Sequence, residues 1–327
     1  MLFLALLLQV FTVVEWNCEN LFDCEPDSVH DDTEWLPEGY HHWTHYRYWQ
    51  KVNNVGKTLL ACGGTADAWH LPDVVILTDV VILTEVENDS VMTDLTRKSL
   101  LRTARYEYLM TNSPDVRGID VAVLYSPFSF RPIRSHSIRV NPVKDMPPTR
   151  DILYVCGETI SGDTLHVFAL HAPSRRDGER QTRPFRMAVA HRLMEAIDSI
   201  RLCSADAKIL VAGDFNDYIK SPAMKYYYSH GLTDLSSRFE KGGEVKGTYK
   251  YKGVWNSLDH VLGSPSVALL MVDGKVADFP FLLTEDETYG GQKPLRNYVG
   301  PRWQNGFSDH LPLVLHFLAP TPLPPPK

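Results

Sequence analysis

A mixed α/β architecture, with sheets flanked by helices inside one domain, is what this 327-residue chain predicts. Three observations carry that expectation. Apolar, strand-like runs first alternate with helical patterns and later follow one another as meanders. No glycine-serine linker divides the chain. Four short acidic or histidine clusters, far apart in sequence, each adjoin a strand-like run: Thr84 to Asn88 after Val80–Leu83, Gly213 to Asn216 after Ile209–Ala212, Leu258 to His260, and Ser308 to His310 before Leu311–Phe317. Carboxylates, amides and imidazoles at strand ends can converge on one rim of a sheet. Such a rim suits a hard divalent cation and a phosphate.

Taken in order, strands are expected at Phe11–Trp16, Val74–Leu83, Ile119–Tyr125, Ile152–Cys156, Thr164–Leu170, Ile209–Ala212, Ser257–Leu262 and Pro312–Phe317, where β-branched and aromatic residues cluster. Helices are expected at Thr44–Ala61, Asp89–Leu101, Arg183–Leu202 and Pro222–His230. In the third, Phe185, Val189, Leu193 and Ile197 keep helical register and Pro184 falls near the start. One domain over residues 10–318 follows. Residues 1–9 precede it as a signal remnant or a strand extension, because Leu2–Leu8 is apolar yet lacks a preceding Lys or Arg and a clear cleavage site. A true signal would make the protein secreted or periplasmic, and its absence cytoplasmic. The run is too short for a confident membrane span. The last nine residues, Ala319–Lys327, carry five prolines and read as an extended tail.

Composition narrows the function. With 44% apolar and 22% charged residues the chain reads as globular, and a formal charge of −7 argues against a protein that coats nucleic acid. A monomer is expected. The five cysteines are widely spread without a C-x-x-C spacing, which points to buried thiols and away from zinc or redox work. Asp73–Thr78 and Asp79–Thr84 repeat the hexapeptide DVVILT. A slip by six keeps side chains on the same strand face, so the repeat leaves open whether Glu85 or Asp79 ends the strand at the rim. Part of the first copy is expected to loop out.

The strand before Gly213 delivers Asp214 and Asn216 to one side. An Asp can orient or deprotonate a water and an Asn can donate to a phosphoryl oxygen, while an Asp-Asn turn would explain the same residues. Gly213 permits close approach of a ligand to the backbone. Asp309-His310 adds a carboxylate and an imidazole able to act as acid, base or phosphate-facing cation. Asp259 can orient a histidine, though taken alone Asp259-His260 fits a surface pair in a hairpin better. Glu85 and Asp309 match the one or two carboxylates that Mg²⁺ prefers. Asn17 and His171 each lie just beyond a strand. No His-x-x-x-His or Cys/His clustering supports zinc. The aromatic stretch from Trp35 to Trp43 either stacks a ring of the substrate or packs over the first helix, and Arg175, Arg176, Arg180, Arg183 and Arg186 form either an anion-facing rim or an ordinary solvated helix start.

Six motifs in order resemble the endonuclease/exonuclease/phosphatase superfamily, which includes pancreatic-type deoxyribonucleases, abasic-site endonucleases, sphingomyelinases and inositol-polyphosphate 5-phosphatases. They are Asn17 within EWNCENLF, Glu85, His171 in an H-x-P element, Asp214 and Asn216 in G-D-x-N, Asp259, and Asp309-His310 in S-D-H. The resemblance spans Val13 to about Phe317. It is strongest to bacterial members that carry N-x-E-N-L-F-D and R-G-I-D-V-A-x-L-Y, here Arg117–Tyr125. It implies a four-layered α/β sandwich, two packed mixed β-sheets flanked by helices, with a Mg²⁺ or Mn²⁺ site at one end. By the same resemblance Asn17, Glu85 and Asp309 hold the metal, Asp214 positions the attacking water, Asn216 holds the phosphate, and His310, oriented by Asp259, works with His171 on the phosphate and its protons. The implied activity is phosphodiester or phosphomonoester hydrolysis, with DNA and RNA among the candidate substrates. The alternative is a catalytically silent phosphate-ligand or surface-binding module on the same fold. No residue matches the family's usual mid-chain substrate-contacting tyrosine or asparagine, and Arg150 resembles a recurrent arginine that is either structural or phosphate-facing.

Overall fold

Side chains alternate between the two faces of a strand, and in the computed structural model that alternation divides the core into three layers of packing. The structure describes residues 9–64, 79–238 and 243–319. In chain order the first half contains β1 (Gln9–Leu21), α1 (His45–Cys62), β2 (Val80–Val86), α2 (Asp89–Thr93), β3 (Glu107–Met110), β4 (Asp120–Tyr125), β5 (Phe130–Ile138), β6 (Ile152–Thr159) and β7 (Thr164–His171). There follow α3 (Glu179–Cys203), β8 (Lys208–Asp214), α4 (Pro222–Ser229), β9 (Thr233–Asp234), β10 (Tyr249–Tyr251), β11 (Val254–Asn256), β12 (Asp259–Gly263), α5 (Pro265–Ala268) and β13 (Met271–Val276). Short hairpins, β14 (Leu283–Glu285) with β15 (Gln292–Pro294) and β16 (Tyr298–Val299) with β17 (Arg302–Trp303), precede the final strand β18 (Leu313–Ala319).

Two six-stranded sheets result, ordered β13-β18-β1-β2-β4-β3 and β5-β6-β7-β8-β12-β9. Val13, Ile82, Val123 and Leu315 of the first sheet meet Val155, Val167, Leu210 and Val261 of the second in the central layer. The alternate residues Val14, Trp16, Leu83 and Leu124 face α1, and Tyr154, Phe168, Leu170 and Val211 face α3 and α4. The expected four-layered sandwich is therefore present. Each sheet holds one central parallel pair, β1 with β2 and β7 with β8. Both pairs end toward the same edge of the sandwich, and there the site is built.

Several boundaries differ from the sequence reading. Strand β2 is formed by the second hexapeptide copy, paired Val13 to Val80 through Asn17 to Thr84 against β1. The Oδ2 of Asp79 accepts from the Thr12 amide at 2.6 Å at the far end of the strand, so Glu85, not Asp79, ends it at the rim. The first copy lies outside the described residues, as do residues 1–8 and 320–327. The expected helix Asp89–Leu101 is broken: the Ser99 amide bonds the Asp94 carbonyl in a widened turn, and the Ser99 hydroxyl then caps Leu101 at 2.9 Å and starts a 3₁₀ turn. Helix α3 starts earlier than expected, at Glu179, whose carboxylate pairs with Arg183 one turn on at 2.8 Å. Pro184 is thus inside the helix, at the loss of one backbone bond. Cys18, Cys24, Cys62 and Cys156 are buried thiols and Cys203 is exposed, with no disulfide among the described residues. No described helix is long and apolar enough to cross a membrane.

Candidate active site

Register brings the first three groups together. Asp214, the last residue of β8, lies opposite His171 on β7 and opposite Asp259 on β12. Its carboxylate accepts from Asn17 Nδ2 at 3.0 Å and from the Asn216 amide at 2.8 Å, and His171 Nε2 stands 3.6 Å away. The sharp exit from β8 needs Gly213. Its φ is +148°, and a Cβ there would lie 1.8 Å from the Leu170 carbonyl oxygen. The close approach that this glycine permits is therefore to the neighbouring strand rather than to a ligand. Asn216, also left-handed at φ +49°, donates its side-chain amide to Ala172 O at 3.0 Å. The Asp-Asn turn and the site are the same object.

The closing loop adds the next pair. His310 Nδ1 donates to Asp259 Oδ2 at 2.7 Å, and the Thr248 hydroxyl donates to the same oxygen. Ser308 clamps the loop by donating to Asn17 O at 2.6 Å while accepting from the His310 amide at 3.0 Å. Trp16 Nε1 donates to His310 O. The Tyr249 ring packs on the imidazole at 4.9 Å between centroids. His310 is thereby fixed on all sides, and its Nε2 points toward Asp309, 3.9 Å away.

Glu85 and Asp309 sit further out. Glu85, at φ +61° on a bulge where the β1 and β2 pairing shifts, accepts from the Asn20 amide at 2.9 Å, and its carboxylate is 4.0 Å from His171 Nε2 and 3.7 Å from Arg117. Asp309 faces Arg296 at 3.2 Å, and the same guanidinium holds Glu19 at 2.8 Å. Both carboxylates keep some exposure while Asp214 and Asp259 have almost none.

Burial and charge split the two histidines. Burial, then Arg150 and Arg117, drive the His171 pKa well below its usual range, so its approaches to Glu85 and Asp214 are contacts of a neutral ring rather than ion pairs. Burial alone would also discharge His310, but the charge and hydrogen bond of Asp259 carry its pKa well above the ordinary value. Burial, then the charge of Asp259, raises Asp214 to about 7. A neutral imidazole, an imidazolium and a carboxylate poised near neutrality stand within one cluster. Glu15, two residues before Asn17, is wholly buried beside Asp214 and Asp259 with both oxygens lacking a hydrogen-bond partner.

The donor set fits a hard cation. It is made of carboxylate oxygens and an amide, without thiolates. Among the described residues one trio, Asp214, Asp259 and His310, has ligand atoms all within 4.8 Å of one another. That trio already contains its own cation, the His310 imidazolium, and one Asp259 oxygen is taken by two donors. The carboxylates of Glu85 and Asp309 are each partly open to solvent and could receive an added ion if it displaced the arginine that faces each of them.

All eight residues expected from the sequence thus converge on one edge. Four others were not foreseen as part of it. Arg296 bridges Asp309 and Glu19, Thr248 holds Asp259, and Arg117 faces Glu85; of these Glu19, in N-x-E-N-L-F-D, and Arg117, in its R-G-I-D run, stood in motifs the sequence displays, while Thr248 and Arg296 left no signal. Arg150 is structural: its guanidinium binds Asp115 at 2.9 Å and the carbonyls of His171 and Ala172 at 3.2 and 2.8 Å. It fixes the turn that carries His171. His260, next to Asp259, points to the opposite face and bonds Asp234 at 3.2 Å. Arg186 is buried against Asp217 and is not part of a rim. Trp35 lies between Phe22 and His41, and Trp43 donates to Phe22 O, so those tryptophans pack as core and do not present a stacking slot.

Fold and site together define a known class. Residues 12–319 match the model of the Endonuclease/Exonuclease/phosphatase family, and the chain belongs to that family. A search of curated protein sequences gives no match. Similar solved structures include an endonuclease/exonuclease/phosphatase family protein from Bacteroides thetaiotaomicron, 15% identical, covering 94% of this chain and 98% of that one with a TM-score of 0.62. A mannosyl-6-phosphatase of the same organism is 15% identical over 93% of this chain and 98% of its own, with a TM-score of 0.60. The human Nocturnin catalytic domain, solved with a sulfate anion, is 15% identical over 94% of each chain at 0.58. The superfamily is one of hydrolases acting on phosphoester bonds and is typically dependent on divalent metal.

Proposed function

We propose that this chain is a divalent-metal-dependent phosphoesterase that hydrolyses phosphate esters by in-line attack of water, with Mg²⁺ or Mn²⁺ at Glu85 and Asp309 and with Asn17 beside them. The observation that carries the reading is the geometry of one buried hydrogen-bonded cluster in which Asp214 is held by Asn17 and the Asn216 amide and His310 is locked by Asp259. A carboxylate raised to about 7 can hold a water and take its proton near neutral pH. An imidazolium locked by Asp259 can stabilise negative charge on the phosphoryl oxygens as the new P–O bond forms and the ester P–O bond breaks. Neutral His171, held by its backbone through Arg150, adds an N–H at the phosphate. Asn216 keeps the Asp214 turn in place through its backbone amide, and its side-chain amide nitrogen, bonded to Ala172 O, has a second N–H with which to donate to a phosphoryl oxygen. A bound cation would supply further charge neutralisation at the phosphoryl oxygens.

The silent-module reading has less support. Asp214 and Asp259 are buried neighbours in register, and a binding scaffold gains nothing from holding two repelling carboxylates out of water. Hydrolysis of bis(p-nitrophenyl) phosphate, the p-nitrophenyl monoester and plasmid DNA, each with Mg²⁺, Mn²⁺ or chelator, tests the proposal. Turnover with metal and its loss in chelator are expected, and the substrate cut separates diesterase, monoesterase and nuclease. Turnover undiminished by chelator would refute the metal assignment.

A further inference from the structure

Beside Glu85 and Asp309 opens a cavity of about 320 Å³, lined among others by Asn20, Glu34, Tyr40, Arg117, Arg176 and Arg296. It adjoins the candidate catalytic groups directly. Arg117 is the guanidinium 3.7 Å from Glu85, Arg296 the one 3.2 Å from Asp309, and the Asn20 amide binds the Glu85 carboxylate. A phosphate bound through a cation at those carboxylates would have this space beside it for its ester group. The volume is at the small end for ligand pockets, suited to one ring-sized group rather than a polymer segment.

The lining chemistry selects among ring-sized groups. A nucleobase is held by a free aromatic face or a slot between two, and here the large rings are spent on each other: Trp35 is stacked on Phe22 at 5.2 Å and on His41 at 4.2 Å, with Tyr298 against its edge at 5.9 Å. Only Tyr40, more than half exposed, keeps an open face. Hydrogen-bonding groups are plentiful instead. Among the described residues Glu34, 59% exposed, has His41 Nε2 at 3.8 Å as its only ionic contact, and the exposed Arg176 guanidinium has no side-chain partner. An exposed carboxylate acceptor, an exposed guanidinium donor and one ring face match the hydroxyls and the apolar C–H face of a sugar. They do not match a base.

Resting on the phosphoesterase reading above, we infer that this cavity takes the alcohol half of the substrate, and that the substrate is a phosphorylated monosaccharide-sized polyol in which Glu34 and Arg176 bind hydroxyl groups. The test measures kcat and KM with Mg²⁺ for glucose 6-phosphate, p-nitrophenyl phosphate and a short single-stranded oligonucleotide, in wild type, Glu34→Gln and Arg176→Gln. The sugar phosphate should be the best of the three. Each variant should raise its KM by about tenfold, the size of one lost charged hydrogen bond, and should affect p-nitrophenyl phosphate less. Equal losses on both monoesters, or preference for the oligonucleotide, would overturn the inference while leaving the phosphoesterase reading standing. If no substrate turns over, that reading fails, and calorimetric titration of glucose 6-phosphate into Asp214→Asn decides the cavity alone: binding weakened by Glu34→Gln supports it, and no binding refutes it.

Discussion

Asp259 and His310 form a buried pair at 2.7 Å in which the carboxylate sits on a central strand and the imidazole on a loop clamped by Ser308. The strand fixes the acid, and the acid fixes the charge of the ring. Asp259→Asn should preserve the fold, lower kcat by about 10²–10⁴ in line with the loss of one oriented acid–base group, and change KM little. Because the carboxylate is what keeps His310 protonated, the alkaline limb of the pH–rate profile should move to lower pH. A profile that merely scales down, with no movement of that limb, would speak against His310 acting as a cation.

Glu85 carries a second prediction. Its neighbours Asn17 and Thr84 are fixed by the sheet, so Glu85→Gln removes charge with little change of shape. Cation affinity, read by calorimetry with Mn²⁺, should fall by about 100-fold or more, beyond the 10–100-fold typical of a merely supporting residue. Asp79→Asn, at the opposite end of β2, should leave that affinity unchanged.

The carboxylates of the rim also predict how the metal-free protein responds to pH. Burial raises Glu19 and Asp214 to about 7 and Glu87 to about 8. Unfolding returns each to the ordinary carboxylate range near 4, so between those values the folded state binds more protons than the unfolded one and stability falls as pH rises. In chelator the melting temperature should therefore decline from pH 5 to pH 8. Divalent cation should restore more of it at pH 8 than at pH 5, since it competes with those protons. A metal-free melting temperature that climbs over this range would show that the carboxylates are not held in the protonated form.

Arg150 tests the support of His171. The guanidinium is buried, and truncation to Ala leaves Asp115 and two carbonyls without their donor. A loss of about 3–5 kcal/mol is expected from urea unfolding. An effect on activity without one on stability would instead place Arg150 at the phosphate.

Which parts were legible in the sequence follows from burial. The eight inner strands, β18, β1, β2, β4 and β6, β7, β8, β12, are buried on both faces and read as apolar runs; all eight were expected. The four sheet edges, β3, β5, β9 and β13, were not. An edge strand leaves one row of backbone groups unpaired and tolerates charge and proline, and β5 shows it: Arg131, Pro132, Arg134 and His136 interrupt any pattern, with a bulge between Pro132 and Arg134. The site followed the same division. Residues at strand ends announced themselves through the apolar run before them, whereas Arg296 and Glu34 lie outside the main strands, in segments whose position is set by packing between parts of the chain far apart in sequence, such as the Arg296 to Glu19 bond. Local pattern carries no trace of such a contact. The hexapeptide repeat was ambiguous for a related reason, since either copy satisfies the strand and only pairing with β1 chooses between them.

The central claim is that Asp214 takes the proton of the attacking water, and hydrolysis of p-nitrophenyl phosphate and its diester with Mg²⁺ by Asp214→Asn, compared with wild type across pH, tests it most directly. The substitution keeps the size of the side chain and its place beside Asn17, and a melting curve confirms folding. The expected result is a fall in kcat of about 10²–10⁴ together with loss of an acid limb near pH 7, the limb expected in wild type if this carboxylate, raised to about 7, is the base. Wild-type rates in a folded Asp214→Asn protein, or an acid limb that survives the substitution, would contradict it.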